Sequence, residues 1–196
     1  KIFSLRVTDN NVIVCNQENI ENFSFRCKTL TRTRSTQNQA VRGDSLRIRE
    51  YRKEDGPVLA KLFYQTVHTV NVADYTKIQL DVWAPKKRDL KAWNASFLRH
   101  RTVVAELGGQ IVGFGDMDKT GYLDRLYVHR DFQGRHIATA ICNELERQSG
   151  VHRFETYASI TARPFFESRG YEVIREQEVK RSGVTLRNYV MCKRKK

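Results

Sequence analysis

Residues 123–146 read LDRLYVHRDFQGRHIATAICNELE, an alternating strand that passes through a short basic loop into a helical stripe. Gln133-Gly134-Arg135-His136-Ile137-Ala138 forms the junction. The first turn of a helix leaves backbone N–H groups without intrahelical partners, at the positive end of the helix dipole. Such a junction binds anions. Arg135 either adds charge to that site or is simply solvated.

Holding such a loop in place takes a sheet and helices. Leu46-Arg47-Ile48-Arg49-Glu50-Tyr51 alternates as a strand does. Asp55 and Pro57 give a cap and first-turn signal, after which Leu59, Leu62, Phe63, Thr66, Val67 and Val70 share one helical face. A second helix is expected over 74–83, stopping before Pro85, and a third over 89–99. Gly108-Gly109 between apolar runs 102–106 and 111–115 signals a hairpin. A turn at 118–121 leads into the strand 122–129, and Ile137, Ile141 and Leu145 mark the helix after the loop. A strand at 154–158, a short helix at 162–169 and strands at 171–180 and 184–192 around Ser182-Gly183 complete the order. The fold class is α/β, a mixed sheet flanked by helices on both faces.

Composition narrows the class without choosing a partner. The 196 residues are 40% hydrophobic, enough for one well-buried domain and some extra, with a net charge of +13 from 35 Lys+Arg against 22 Asp+Glu. That balance attracts polyanions, including nucleic acid, membrane surfaces and phosphorylated coenzymes. Cys15, Cys27, Cys142 and Cys192 match no zinc or redox spacing, so a reduced cytoplasm is expected. No apolar run approaches the length of a membrane span, and a soluble chain is expected.

Residues 1–45 read differently from 46–196. They begin with Lys1 rather than methionine, so something upstream is expected to be missing or removed, and 31–39 is polar and unpatterned. Short strands at 12–14 and 23–25 would have few apolar residues to cover them. An appended arm, translated sequence foreign to the native frame and a targeting segment poor in acids all fit; the first two are preferred, and no chemistry is assigned.

From residue 46 onward the chain resembles the GNAT superfamily of N-acetyltransferases. The loop resembles its Gln/Arg-x-x-Gly-x-Gly/Ala pattern, the element order agrees, and Ala162-x-x-Phe165-Phe166-Glu167-x-x-Gly170-Tyr171 matches its closing segment. The stretch SITARPFFESRGYEV is similar to the bacterial YafP-like branch, as are Ala73-Asp74-Tyr75, Leu80-x-x-Trp83-Ala84-Pro85 and Gly183-Val184-x-Leu186-x-Asn188-x-Val190-Met191. The resemblance implies a GNAT-like acyl-CoA N-acyltransferase fold for 46–196. Backbone at Leu126, Tyr127 and Val128 would pair with the pantetheine arm of acetyl-CoA. Amides from Gln133 through Gly134, Arg135, His136, Ile137 and Ala138 to Thr139 would hold its pyrophosphate. Ser159 stands where the family often has a cofactor-contacting asparagine. Two departures matter: His136 replaces a glycine, so its ring either points away or contacts the ligand, and Phe166 replaces the tyrosine that protonates the departing thiolate.

The implied reaction is acetyl transfer from acetyl-CoA, as co-substrate and without a metal, to a primary amine on a small molecule, protein or peptide. An alkyl amine has a pKa of ~10.4, so a base must take its proton. Asp124 and Glu155 are the candidates, Asp124 ranked first, although an ion pair with a neighbouring base or plain exposure explains them too. Tyr122 and Tyr157 are candidate acids, or core. A backbone N–H near Tyr127 or Val128 would steady the thioester oxygen. His68, Asn71, Tyr75 and Trp83 are candidates for the acceptor pocket, and core packing explains them equally. The alternative is a non-catalytic coenzyme A or nucleic-acid binding protein on the same scaffold, consistent with the charge and the two departures. A third reading joins the two, an acetyltransferase whose acceptor is an aminoacyl-tRNA. No nucleic-acid recognition motif stands out, no membrane partner is expected, and a homodimer is compatible with the sequence.

Overall fold

The computed structural model describes residues 45–195. The expected strands at 12–14 and 23–25 lie outside the described residues, as do Cys15 and Cys27. In chain order the elements are β1 Arg47–Glu50, α1 Gly56–Val70, α2 Lys77–Trp83, α3 Leu90–Arg99, β2 Arg101–Leu107, β3 Gln110–Met117, β4 Tyr122–Val128, α4 Ile137–Gln148, β5 Arg153–Ser159, α5 Arg163–Ser168, β6 Glu172–Arg181 and β7 Val184–Arg194. They build one sheet in the order β1-β2-β3-β4-β5-β7-β6. Every neighbouring pair is antiparallel except β4 with β5.

Alternation along the central strands feeds two cores. On one face Val103, Leu126, Ile137, Ile141, Leu145 and Phe166 pack together under α4 and α5. On the other Val104, Phe114 and Tyr127 meet Leu59, Phe63, Trp93 and Phe97 from α1 and α3. Adjacent residues such as Val103 and Val104, or Leu126 and Tyr127, thus belong to opposite faces, as the two-residue period of a strand requires. This is the expected mixed sheet with helices on both faces.

Local chemistry moves several expected boundaries. Asp55 does not cap α1; its carboxylate is gripped by Arg49 at 2.7 and 2.8 Å and accepts from the Arg52 amide, which fastens the turn ahead of the helix. The second helix starts at Lys77 rather than 74, because Thr76 and Gln79 form a reciprocal capping box. Both glycines of Gly108-Gly109 take positive φ (57° and 80°), as do Ser182 and Gly183 (46° and 81°), which suits the tight hairpins expected there. Gly115 of β3 has a different use: a Cβ on it would sit 2.7 Å from Ile141 Cγ2, so its bare backbone lets α4 lie close on the sheet.

Candidate active site

The parallel β4–β5 pair is short. Only Tyr122 with Glu155 and Leu123 with Thr156 stay in register, and beyond them the strands part. Two local features accompany the opening. Asp116 faces Arg125 and Met117 faces Leu123 across β3, so Asp124 is an extra, bulged residue that bends β4. The buried Thr156 hydroxyl donates to the Leu123 carbonyl at 3.0 Å, at the last registered pair.

Backbone direction decides what the opening offers. The Arg125 and Tyr127 carbonyls lie against Gly115 and Gly113 of β3, and the His129 N–H donates to Val112. Antiparallel alternation therefore turns the peptide groups of Leu126 and Val128 toward the gap. This corrects one expectation: the Tyr127 peptide is spent on the β3 ladder and pairs with nothing in the gap. The Val128 carbonyl is also taken, by the Thr66 hydroxyl at 3.0 Å and the Gln133 side-chain amide at 2.7 Å. Leu126 N–H and C=O, with Val128 N–H, remain as the edge facing the gap. The Gln133 side chain ties the loop to the end of β4.

The loop delivers the helix start beside that edge. Gly134 (φ 69°) and His136 (φ 57°) are left-handed, and a Cβ on Gly134 would meet nothing within 4 Å. No side chain caps α4. The first-turn amides of Ile137, Ala138 and Thr139 are thus left without a side-chain cap, with open space over the preceding loop, an arrangement suited to an anion. His136 adopts the backbone that a family glycine would supply, and its side chain is exposed. The exposed Arg135 stacks its guanidinium 5.1 Å from the Phe132 ring centre, at the rim of the loop.

At the apex of the opening sits a buried charge cluster that the sequence reading missed. Arg125 and Asp116 have side chains fully shielded from solvent and are joined by bonds of 2.7 Å from Nε and Nη2. His100 Nδ1 lies 2.6 Å from Asp116 Oδ2, and Ser96 accepts from Arg125 at 2.8 Å. Burial would raise the Asp116 carboxyl, but the Arg125 charge and the bonds from His100 and Arg125 bring it below its usual range. The bond to Asp116 raises His100 despite its burial. Asp124 stands 3.5 Å from Arg125 Nε but without the bonds Asp116 enjoys. Burial, and then the Asp116 charge, push Asp124 up to about 7. Opposite charges at Asp116 and Arg125, inside two otherwise largely apolar strand runs, were the available signal.

Tyr122 and Tyr157 meet edge to face, 5.0 Å between ring centres, next to Asp124. The Tyr122 hydroxyl is buried and, among the described residues, has no hydrogen-bond partner. Burial raises both phenols, Tyr122 strongly. Glu155 lies at the paired end of β5 and is 3.3 Å from Arg153. Ser159 is buried and its oxygen accepts the Ala162 amide at 3.0 Å, which secures the entry to α5. Phe166 packs edge to face against Phe165 and Tyr171 in the α4 core.

The side chains expected around an acceptor mostly serve as scaffold. The Tyr75 hydroxyl donates to Arg187 O and accepts from the Ile160 amide; its ring packs against Trp83, 5.1 Å between centres. His68 is 3.0 Å from the Ala84 carbonyl, and Asn71 donates to Thr161.

The comparisons agree with this geometry. The acetyltransferase (GNAT) domain family matches residues 71–193. The Escherichia coli (strain K12) protein described as an uncharacterized N-acetyltransferase, YafP, is 28% identical over 148 residues, covering 76% of this chain and 95% of its own. The crystal structure of a GCN5-related N-acetyltransferase from Rhodopseudomonas palustris superposes with a TM-score of 0.73 at 30% identity, covering 81% of this chain and 99% of that one. The fold also matches the Thermoplasma acidophilum PaiA N-acetyltransferase, crystallised with coenzyme A, with a TM-score of 0.64 at 17% identity over 76% of this chain and 99% of that one. With a domain match over most of its length and the parted strands of the sheet beside an uncapped helix, the chain belongs to the GNAT family of N-acetyltransferases.

Proposed function

We propose that the protein transfers the acetyl group of acetyl-CoA to a primary amine, with Asp124 as the base. The observation that carries this reading is the opening between β4 and β5, which has free backbone groups along one edge, an uncapped helix at one end and a carboxyl of pKa about 7 at its apex. These residues fit acetyl-CoA. The amides of Ile137, Ala138 and Thr139 would hold its diphosphate, and Leu126 and Val128 its pantetheine arm. The thioester supplies an activated acyl group.

The chain's own residues divide the remaining work. Asp124 accepts a proton from the incoming ammonium, directly or through water, and a base titrating near 7 is well matched to neutral pH. The Leu126 or Val128 N–H faces the gap and donates to the charge that grows on the thioester oxygen. Tyr157, half-buried and protonated at neutral pH, is the donor for the leaving sulfur, with Tyr122 behind it. Glu155 is held by Arg153 and is the weaker base. The free Cys142 and Cys192 suit a reducing cytoplasm. Thiol release from acetyl-CoA over a panel of amines tests the reading; binding without release for every amine contradicts it.

A further inference from the structure

Among the described residues, Arg88, beside the proposed reaction centre, has no carboxylate partner. Arg88 lies between α2 and α3, its guanidinium 4.5 Å above the Phe63 ring and 4.7 Å above Trp93. Phe63 in turn packs edge to face on Tyr127 of β4, 4.7 Å between centres. Among the described residues no carboxylate ion-pairs with Arg88, and none figures among the charges that act on it. Its neighbour Asp89 is occupied with capping α3, accepting from the Lys91 and Ala92 amides at 2.9 and 3.0 Å. Burial lowers the Arg88 pKa first; the Tyr127 phenol opposes that shift, and the like charges of Arg181 and Arg125 add to it. Arg125 is already paired with Asp116. Arg181, at the end of β6, also acts on Asp124 and Tyr127.

Holding a half-buried guanidinium beside like charge is unfavourable unless an anion joins it. Two aromatic rings fix the plane of Arg88, which preorganises its fork for a bidentate oxyacid group. We infer that Arg88 binds the acidic group of the acceptor, so that the substrate is a small primary amine that also carries a carboxylate or phosphate. This rests on the acetyl-transfer reading and names the acceptor class of the same site. The anion on Arg88 would orient the amine toward Asp124.

Matched acceptors test the inference, each pair differing by its anion: L-phenylalanine against phenethylamine, and phosphoethanolamine against ethanolamine. The expected result is a kcat/KM at least about 10-fold higher for the anionic member of one pair, carried by KM. Which pair responds separates carboxylate from phosphate. In Arg88→Ala the ratio within that pair falls toward one, and Arg88→Lys restores part of it; thermal unfolding of both variants checks the fold. Calorimetric titration of the coenzyme A-bound protein with the same four compounds gives a readout free of turnover. There, too, the anionic member should bind more tightly, and Arg88→Ala should remove the difference. Equal use and equal binding within both pairs, or a preference that survives Arg88→Ala, overturns the anion site while acetyl transfer stands. No thiol release with any amine, together with no binding of acetyl-CoA, overturns both.

Discussion

The Thr156 hydroxyl donates to the Leu123 carbonyl at the last residue pair where β4 and β5 run in register. This side chain thus adds a buried bond where the parallel ladder ends, ahead of the β4 edge that begins at Leu126. Thr156→Val keeps the shape but removes one buried hydrogen bond, which costs about 0.5–1.5 kcal/mol. A fall in the unfolding midpoint, with weaker acetyl-CoA binding as the strand ends drift, is expected by calorimetry. Unchanged stability would mean that the opening does not depend on this bond.

Asp124 is expected to separate activity from stability. As a base it works deprotonated, so kcat/KM should climb through pH about 7 and level off above. Its folded pKa is raised, so ionisation above that value opposes folding, and the contribution to stability declines as pH rises toward it. Asp124→Asn should therefore lower kcat/KM by roughly 10²–10⁴ while raising the unfolding midpoint at pH 8. A variant that loses both, or keeps its rate, would contradict the assignment.

His100 makes a second pH-dependent contribution of the same sign. The bond to Asp116 raises its pKa, so the pair stabilises the fold fully below pH ~6.5 and that stabilisation is lost as pH rises through the folded value. Thermal unfolding of the wild type should fall between pH 6 and 9. His100→Gln should flatten that slope, most of its destabilisation being visible at pH 6. An identical slope in the variant would remove His100 from the account.

His136 carries a backbone conformation suited to glycine, which costs a residue with a side chain about 1–2 kcal/mol. His136→Gly should leave stability level or improve it by up to about 1 kcal/mol, since glycine also loosens the unfolded chain. His136→Val should destabilise by more than 1 kcal/mol. Acetyl-CoA affinity in His136→Gly separates the two readings of the ring: it holds or tightens if the ring faces solvent, and weakens about 10-fold if the ring touches the ligand.

Periodicity made the sheet and both helical layers legible, because Val103 and Val104, or Ile137 and Ile141, carry their burial in their spacing. Turn chemistry made both hairpins legible for the same reason: glycine at positive φ is a local property. The loop that enters α4 was legible through its spacing and resemblance. The Asp116–Arg125 pair was not, since its meaning lies in a cross-strand register that places two charges in the core. The peptide direction of Tyr127 was likewise hidden, as one residue more or less at the Asp124 bulge would reverse it. Tyr75 and Asn71 looked like ligand contacts because polar tips on an apolar face have two uses; here they hydrogen-bond the chain itself.

The claim beneath all of this is that the first turn of α4 and the free edge of β4 together receive a nucleotide-tailed thioester. Backbone amide chemical shifts recorded while coenzyme A is titrated into the protein test it most directly. The account predicts saturable shifts at Ile137, Ala138 and Thr139, accompanied by Leu126 and Val128, with Tyr127 moving least of the three strand residues. Saturable binding that leaves those amides still, or binding that shifts a different part of the sheet, would contradict it.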